Sequence, residues 1–401
     1  MAFRVKEKLR YLMYLSAYSG APFHLPATNA SEADTRRRRT GRRLMLRRWP
    51  RYLRPLAPLL MLLCWPVAAL TMSRKVLRFS PEAVRLHGRE RNGSLAVWYT
   101  ALRYNHSPVD VVQFDMLAPD ARPDAWINDR ETTLIWGFLN SNGPRQLLND
   151  KVKFAEFCNT HGLPTPHILE HWEGGAQKIA ISEPWPDNIV EKPARGARGR
   201  AVIRWTKIGD GYTDGTSVVS RKAIVNHLAE VSRTEARILQ PEVKQHHAIV
   251  QSGILGAPVA RIMTGRWPSG SVKLLGAYLS LPEPGQFASN IGHGYELPID
   301  LSDGALSPSR AFWPSASIAP PNLPSIVPDW QRACEITRAA HTALPGRMVA
   351  VGWDVIFSED GPIILEGNHT IGLYKLQRST QLPAADTLLG DLLDVWLSEQ
   401  G

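Results

Sequence analysis

A chain of 401 residues with 44% apolar side chains can bury the core of two or three domains, which excludes a disordered or fibrous protein. Its formal charge of +10 invites a nucleic-acid partner, yet ten of the 47 basic residues fall between Arg36 and Arg54 with no acid among them, so the rest is near neutral and no nucleic-acid partner is expected. Three cysteines, Cys64, Cys158 and Cys334, show neither zinc-site nor disulfide spacing, which fits a reducing compartment.

Directly after the basic block, Pro55–Met72 (PLAPLLMLLCWPVAALTM) is apolar and about long enough to cross a bilayer. Three readings compete: the core of a signal peptide, a spanning helix, or a segment lying in the membrane interface. A single span with basic residues inside would export everything after it. Pro58 and Pro66 interrupt the run, and Arg74, Lys75 and Arg78 make its far end basic too. Interfacial attachment of residues 36–78 to the anionic inner face of the membrane is the favoured reading, with a buried helix as its rival. Residues 1–93 thus form a basic and apolar N-terminal segment of a cytoplasmic protein.

From residue 94 to 146 a small leading domain is expected, with a strand at Val109–Phe114 and a helix beginning near Arg130. At Leu147 the signals sharpen: Asn149 or Asp150 caps a helix with an apolar face at Val152, Phe154, Ala155, Phe157 and Cys158, stopped by Gly162 and Pro164. Strands follow at Asn188–Lys192 and Ala201–Trp205, a helix near Arg221–Arg233, and strands at Ile238–Val243, Ala248–Gly253 and Val259–Thr264. The proline-rich stretch Ser302–Pro328 reads as a loop, and Asp329–Ala343 as a helix.

Chemistry concentrates in MVAVGWDVIFSEDGPIILEGN, residues 348–368, where two β-rich runs flank Ser358-Glu359-Asp360-Gly361. A three-residue loop with Gly361 left-handed pairs Ser358 with Pro362 and places Asp354 opposite Glu366. Asn368, two residues on, shares that face. Two carboxylates and an amide among Val, Ile and Leu are costly without cations, and they offer the hard oxygens that Mg²⁺ takes; the rival is a hairpin whose acids face solvent. A second signal is NIVEKPARGARGRAVIRW, residues 188–205, in which Lys192 ends a strand and Gly196 and Gly199 allow backbone amides close to a polyphosphate. The lysine precedes the glycines, so this is no Walker loop. His246 and His247, read as strand neighbours, point to opposite faces and do not share an ion.

The order Lys151, Lys192 with its glycine loop, Gln240-Pro241-Glu242, Arg261 and Asp354…Glu366-x-Asn368 resembles the ATP-grasp superfamily, most closely its sugar-transfer-associated family, over roughly residues 95–395. The resemblance implies an α+β fold of two lobes clasping ATP, with residues 147–243 the N-terminal and 244–401 the C-terminal lobe. It implies that Lys151 and Lys192 contact phosphates, that Gln240–Val243 is the hinge whose backbone reads adenine, and that Glu242 meets the ribose. It further places Arg261 at the transferred phosphoryl group, Asn290 and His246 in the site, and Asp354, Glu366 and Asn368 on two Mg²⁺ ions. Ala197 and Arg198 depart from the family's usual glycine loop. The implied reaction is MgATP-dependent activation of a carboxylate for attack by an amine, in surface-polysaccharide or envelope-precursor synthesis; a small-molecule kinase and a non-catalytic, nucleotide-dependent membrane module are the alternatives.

Overall fold

The computed structural model describes residues 30–47, 51–56, 59, 93–104, 106–180, 184–196, 201–254, 256–282, 295–308 and 323–399. Gly199, Asn290 and nearly all of the Pro55–Met72 run lie outside them. No helix among the described residues is long and apolar enough to cross a membrane.

In chain order, α1 (Glu32–Arg47), α2 (Gly93–Tyr104), α3 (Pro108–Gln113), α4 (Asp129–Leu139), α5 (Arg145–Asn149) and α6 (Lys151–Thr160) precede the first sheet. That sheet comprises β1 (Glu170–Glu173), β2 (Ala176–Ala180), β3 (Asn188–Pro193), β4 (Ile203–Ile208), β5 (Gly211–Thr213), β6 (Val218–Ser220) and, after α7 (Arg221–Val231), β7 (Arg237–Pro241). After α8 (His247–Val250) come β8 (Val259–Arg266), β9 (Val272–Leu281), β10 (Tyr295–Pro298), α9 (Trp330–Ala343), β11 (Ala350–Ser358), β12 (Gly361–Asn368), α10 (Tyr374–Thr380) and α11 (Leu388–Ser398). The seven-stranded sheet runs β2-β1-β7-β3-β4-β5-β6 and the five-stranded one β10-β9-β8-β11-β12, with antiparallel neighbours throughout. This is the expected α+β architecture.

Helix α6 begins where the sequence says it should. Asp150 caps it, accepting from Val152 N at 3.1 Å and Lys153 N at 3.3 Å, and Gly162 ends it at φ +63°. Its apolar side, with Phe154, Phe157 and Cys158, packs on Trp353, Ala260 and Ile262 of the five-stranded sheet, sharing that core with α9. Truncating Phe154 there costs about 3–5 kcal/mol. The opposite sheet face, with Met263, Leu275 and Tyr278, is covered by α4, α10 and α11. In the seven-stranded sheet, α7 packs Ile224 and Leu228 on Ile189, Trp205 and Leu239. There the buried Glu191 accepts from Arg237 Nη2 at 2.8 Å and Trp205 Nε1 at 3.1 Å, so its charge is compensated. Ile189 and Glu191 face this core, and alternation turns Val190 and Lys192 to the other side.

Three local expectations are corrected. Val109–Phe114 is not a strand: Ser107 and Asp110 form a reciprocal capping box with Pro108 in the first turn, and α3 results. Ala248–Gly253 is not a strand either, because His246 caps α8 and the chain leaves it through a turn with Gly253 at φ +75°. The β11–β12 turn has two residues, since Ser358 pairs with Gly361 and Phe357 with Pro362. Val355 then pairs with Ile364, and the extra residue Leu365 shifts the register so that Asp354 still faces Glu366.

Candidate active site

One line of paired residues crosses the five-stranded sheet. Glu366 on β12 pairs with Asp354 on β11, Asp354 with Arg261 on β8, Arg261 with Tyr278 on β9, and Tyr278 with Pro298 on β10. Paired residues share a face, so the two acids and the guanidinium stand side by side. Arg261 grips Asp354 with two bonds, Nε to Oδ1 at 2.6 Å and Nη2 to Oδ2 at 3.1 Å. Gly352 makes room for it: a Cβ there would lie 3.0 Å from Arg261 Cδ. Gly367 serves packing instead, because its Cβ would meet Leu148 Cδ2 at 2.8 Å and Trp353 Cζ3 at 2.9 Å. Asn368 pairs with Gly352, and its Nδ2 lies 3.4 Å from both Asp354 Oδ2 and Glu366 Oε1. A flip of that amide turns its oxygen inward as a third hard donor.

Two lysines close one end. Lys151 Nζ lies 3.4 Å from Glu366 Oε2 and donates to the Gly196 carbonyl at 3.0 Å. Its position is fixed because Lys151 N donates to Ala194 O at 2.9 Å and Arg195 Nε donates to Asp150 at 2.8 Å, stitching the start of α6 to the end of β3. Gly196 itself sits at φ +109°, which favours glycine. Burial, and then repulsion from Lys151, pushes the Lys192 ammonium down to about 8 against the attraction of Glu366. Burial opposes ionisation of Glu366, but Lys151, Lys192 and Arg261 outweigh it and hold that carboxyl below its ordinary range. Asp354 goes the other way: burial, with Glu366 adding to it, pushes it up despite Arg261. On Arg261, burial disfavours the charge, yet Asp354, Tyr278 and Glu366 together raise it above its ordinary value.

The other end was not foreseen from the sequence. Ser280 on β9 pairs with Glu296 on β10, two residues along from the Tyr278–Pro298 pair. Glu296 is buried and takes Lys375 Nζ at 3.1 Å and the Arg378 guanidinium, both from α10. Lys375 also donates to Ser280 Oγ at 3.3 Å. Burial, then Arg261, pushes the Lys375 ammonium down to about 8, with Asp354 opposing. Two cations on one carboxylate leave this end net positive. These residues come from separate elements with no motif spacing; the one sequence signal is a cation pair three residues apart on a short helix.

Gln240, Glu242 and Val243 follow one another at the end of β7. The Gln240 side chain is buried and donates to Pro166 O at 3.0 Å, which pins the chain there. The Glu242 carboxylate pairs with Arg204 Nε at 2.9 Å and its backbone N–H donates to Asn188 O at 3.0 Å, whereas no backbone bond engages Val243 among the described residues. His246 lies apart from the acid–arginine line, at the tip of the β11–β12 hairpin, where its N–H donates to Phe357 O at 2.9 Å.

Two sheets and a half-buried line of two carboxylates, an amide, an arginine and two lysines define an ATP-grasp protein. The chain belongs to the sugar-transfer associated ATP-grasp family, whose family model matches residues 131–385. Among solved structures, D-cycloserine synthetase DcsG is 17% identical over 62% of this chain and 71% of its own, with TM-score 0.37. The D-alanine–D-alanine ligase from Bacillus anthracis complexed with ATP is 15% identical over 64% and 69%, TM-score 0.35. An L-amino acid ligase from Bacillus licheniformis is 15% identical over 65% of this chain but only 51% of its own, TM-score 0.36. No curated protein sequence matches. ATP-grasp enzymes use ATP and Mg²⁺, and the donor set fits. Asp354, Glu366 and Asn368 offer oxygens, and Lys151, Lys192 and Arg261 offer positive charge for phosphates.

Proposed function

We propose that this protein is an MgATP-dependent ligase that activates a carboxylate as an acyl phosphate for attack by an amine. The observation that carries this is the polarity of the line: the lysines and carboxylates suit a metal-bound polyphosphate at one end, and the net positive Lys375–Arg378 end suits an anionic acceptor at the other. Arg261 lies between them, where charge accumulates during transfer. A kinase acceptor, a neutral hydroxyl, has no comparable need for that second cationic end. Asp354, Glu366 and Asn368 would hold two Mg²⁺ ions, which neutralise phosphate charge when bound. Lys192 on β3 and Lys151 at the start of α6 hold the phosphates, and the backbone of Val243 meets the adenine, with Glu242 at the ribose. Arg261 fixes the acceptor in line and stabilises the oxyanion of both steps.

In this reading residues 147–243 and 244–401 are the lobes, with 94–146 a small leading domain. The family's link to sugar transfer supports a sugar-linked or envelope-precursor substrate, and the demand for ATP supports a cytoplasmic site of action. Attachment to the membrane's inner face draws on the apolar run and on the exposed Arg39, Arg42 and Arg43. With candidate sugar acids, hydroxylamine and MgATP, the ligase yields a hydroxamate with stoichiometric ADP and free phosphate. A stable phosphomonoester, or AMP with pyrophosphate, overturns it.

A further inference from the structure

The chain leaving β7 crosses to β8 over the tip of the β11–β12 hairpin. Gln245 forms a bridge with Ser358, the His246 N–H donates to Phe357 O at 2.9 Å, and the His247 N–H donates to the Glu359 carboxylate. Because His246 caps α8 instead of continuing a strand, the two imidazoles lie on one side, with centroids 4.3 Å apart and planes 29° from parallel. The opposite-face argument against a shared ion therefore lapses. One nitrogen of each ring and one Glu359 oxygen all lie within 4.8 Å of one another.

We propose that His246, His247 and Glu359 form a transition-metal site of the zinc or nickel class that clamps the segment after the hinge to the hairpin tip. His247 Nδ1 lies 3.2 and 3.1 Å from the two Glu359 oxygens. Two ligands of a tetrahedral ion, each about 2.0–2.1 Å from it, are roughly 3.3 Å apart. The metal replaces the shared proton with little movement. Two imidazoles and a carboxylate suit borderline cations, whereas Mg²⁺ and Ca²⁺ prefer oxygen alone. His246 Nδ1 accepts the Ala248 N–H at 3.2 Å, so coordination through that atom exchanges one cap bond for a metal bond. His247 and Glu359 are exposed, so the rings can rotate into place and water can complete the shell. The site is distinct from the magnesium residues: Glu359 follows Asp354 by five positions, roughly 16 Å along a strand.

The test is calorimetric titration of the full chain, free of nucleotide and of any histidine tag, with zinc chloride. One ion should bind with a dissociation constant on the order of micromolar, and zinc should raise the melting temperature. His247→Ala and Glu359→Gln should each weaken binding at least tenfold and remove the thermal shift. Glu366→Gln should leave zinc affinity unchanged. Absence of binding to the wild-type chain overturns the proposal, as does affinity insensitive to Glu359→Gln and His247→Ala. Zinc binding that disappears in Glu366→Gln assigns the ion to the Asp354 hairpin instead.

Discussion

Glu366 is held anionic by three cations, while its neighbour Asp354 bears the cost of burial beside it. Replacing Glu366 with glutamine keeps the volume but removes the charge that Lys151 and Lys192 address and that the proposed Mg²⁺ would need. Turnover should fall on the order of 10²–10³-fold with the fold intact, measured as ADP release alongside circular dichroism; a folded variant with wild-type turnover removes Glu366 from the site. Asp354 behaves differently, because its loss takes both hydrogen bonds from the half-buried Arg261 guanidinium and so should also destabilise the sheet. A second residue matters for stability alone. Buried His341 donates from Nε2 to Met348 O at 2.9 Å, and its Nδ1 meets Thr264 Oγ at 2.7 Å, which in turn accepts from Trp353 Nε1 at 2.7 Å. The ring is locked neutral, and burial pushes it down to about 4. An unfolded histidine titrates near 6.5, so between those values the unfolded chain binds a proton that the folded chain does not. The contribution is therefore fully present above pH 6.5 and is lost as pH falls towards 4. The loss amounts to about 2 kcal/mol by pH 5. Urea unfolding at pH 7 and pH 5 should show a smaller drop for His341→Gln than for wild type; equal drops refute the assignment.

Helix α10 extends the acid–arginine line beyond its motif. Lys375→Met keeps the stem and removes the ammonium, so it should raise the acceptor KM about tenfold to a hundredfold and leave the ATP KM unchanged. Since the Lys375 ammonium lies near 8, the wild-type acceptor KM should also climb above that pH as the positive charge is lost, and this climb should vanish in the variant. An unchanged acceptor KM places the acceptor elsewhere. That Lys375 escaped a reading of the sequence, while Asp354, Glu366 and Asn368 did not, has a physical cause. The hairpin is local, its two-residue alternation marks a face, and its glycines and acids interrupt a β-branched run. Even so, the turn was one residue shorter than expected, and only the extra residue Leu365 restored the Asp354–Glu366 pair. The Glu296–Lys375–Arg378 cluster depends on β10 pairing with β9 and on α10 packing over both, which no spacing encodes. The α8 error has the same origin. A short apolar run fits strand or helix, and the deciding cap is a histidine rather than Ser, Thr, Asp or Asn.

At the scale of the whole molecule, the N-terminal arginines divide into two populations that the sequence presents as one block. Arg37 is buried, bound to Asp34 at 2.7 Å and Glu131 at 3.0 Å, and donates to Asp124 O. Arg38 meets Asp124 at 2.9 Å, and Arg36 reaches Asp394 on α11 at 3.4 Å. Helix α1 is thus stitched to α4 and α11, which cover the sheet face that carries Arg261 and Tyr278. Those three arginines are committed within the fold, leaving Arg39, Arg42 and Arg43 exposed. Burial disfavours the Arg37 charge, but Glu131 and Asp34 outweigh it and raise the group above its ordinary value. Removing one partner of such a buried network leaves uncompensated carboxylates, so Arg37→Ala should destabilise by about 3–5 kcal/mol. Arg43→Gln should change stability by no more than about 0.5 kcal/mol, yet it should weaken sedimentation with anionic vesicles if the exposed arginines meet a membrane. Urea midpoints and vesicle sedimentation of the two full-length variants separate the roles. A stable Arg37→Ala protein refutes the structural one, and vesicle binding by Arg43→Gln equal to wild type removes that residue from any lipid contact. Deleting the whole N-terminal segment cannot substitute for these variants, because the cut also takes Asp34 and Arg37 away from Glu131 and Asp124 and so unfolds part of what it is meant to release.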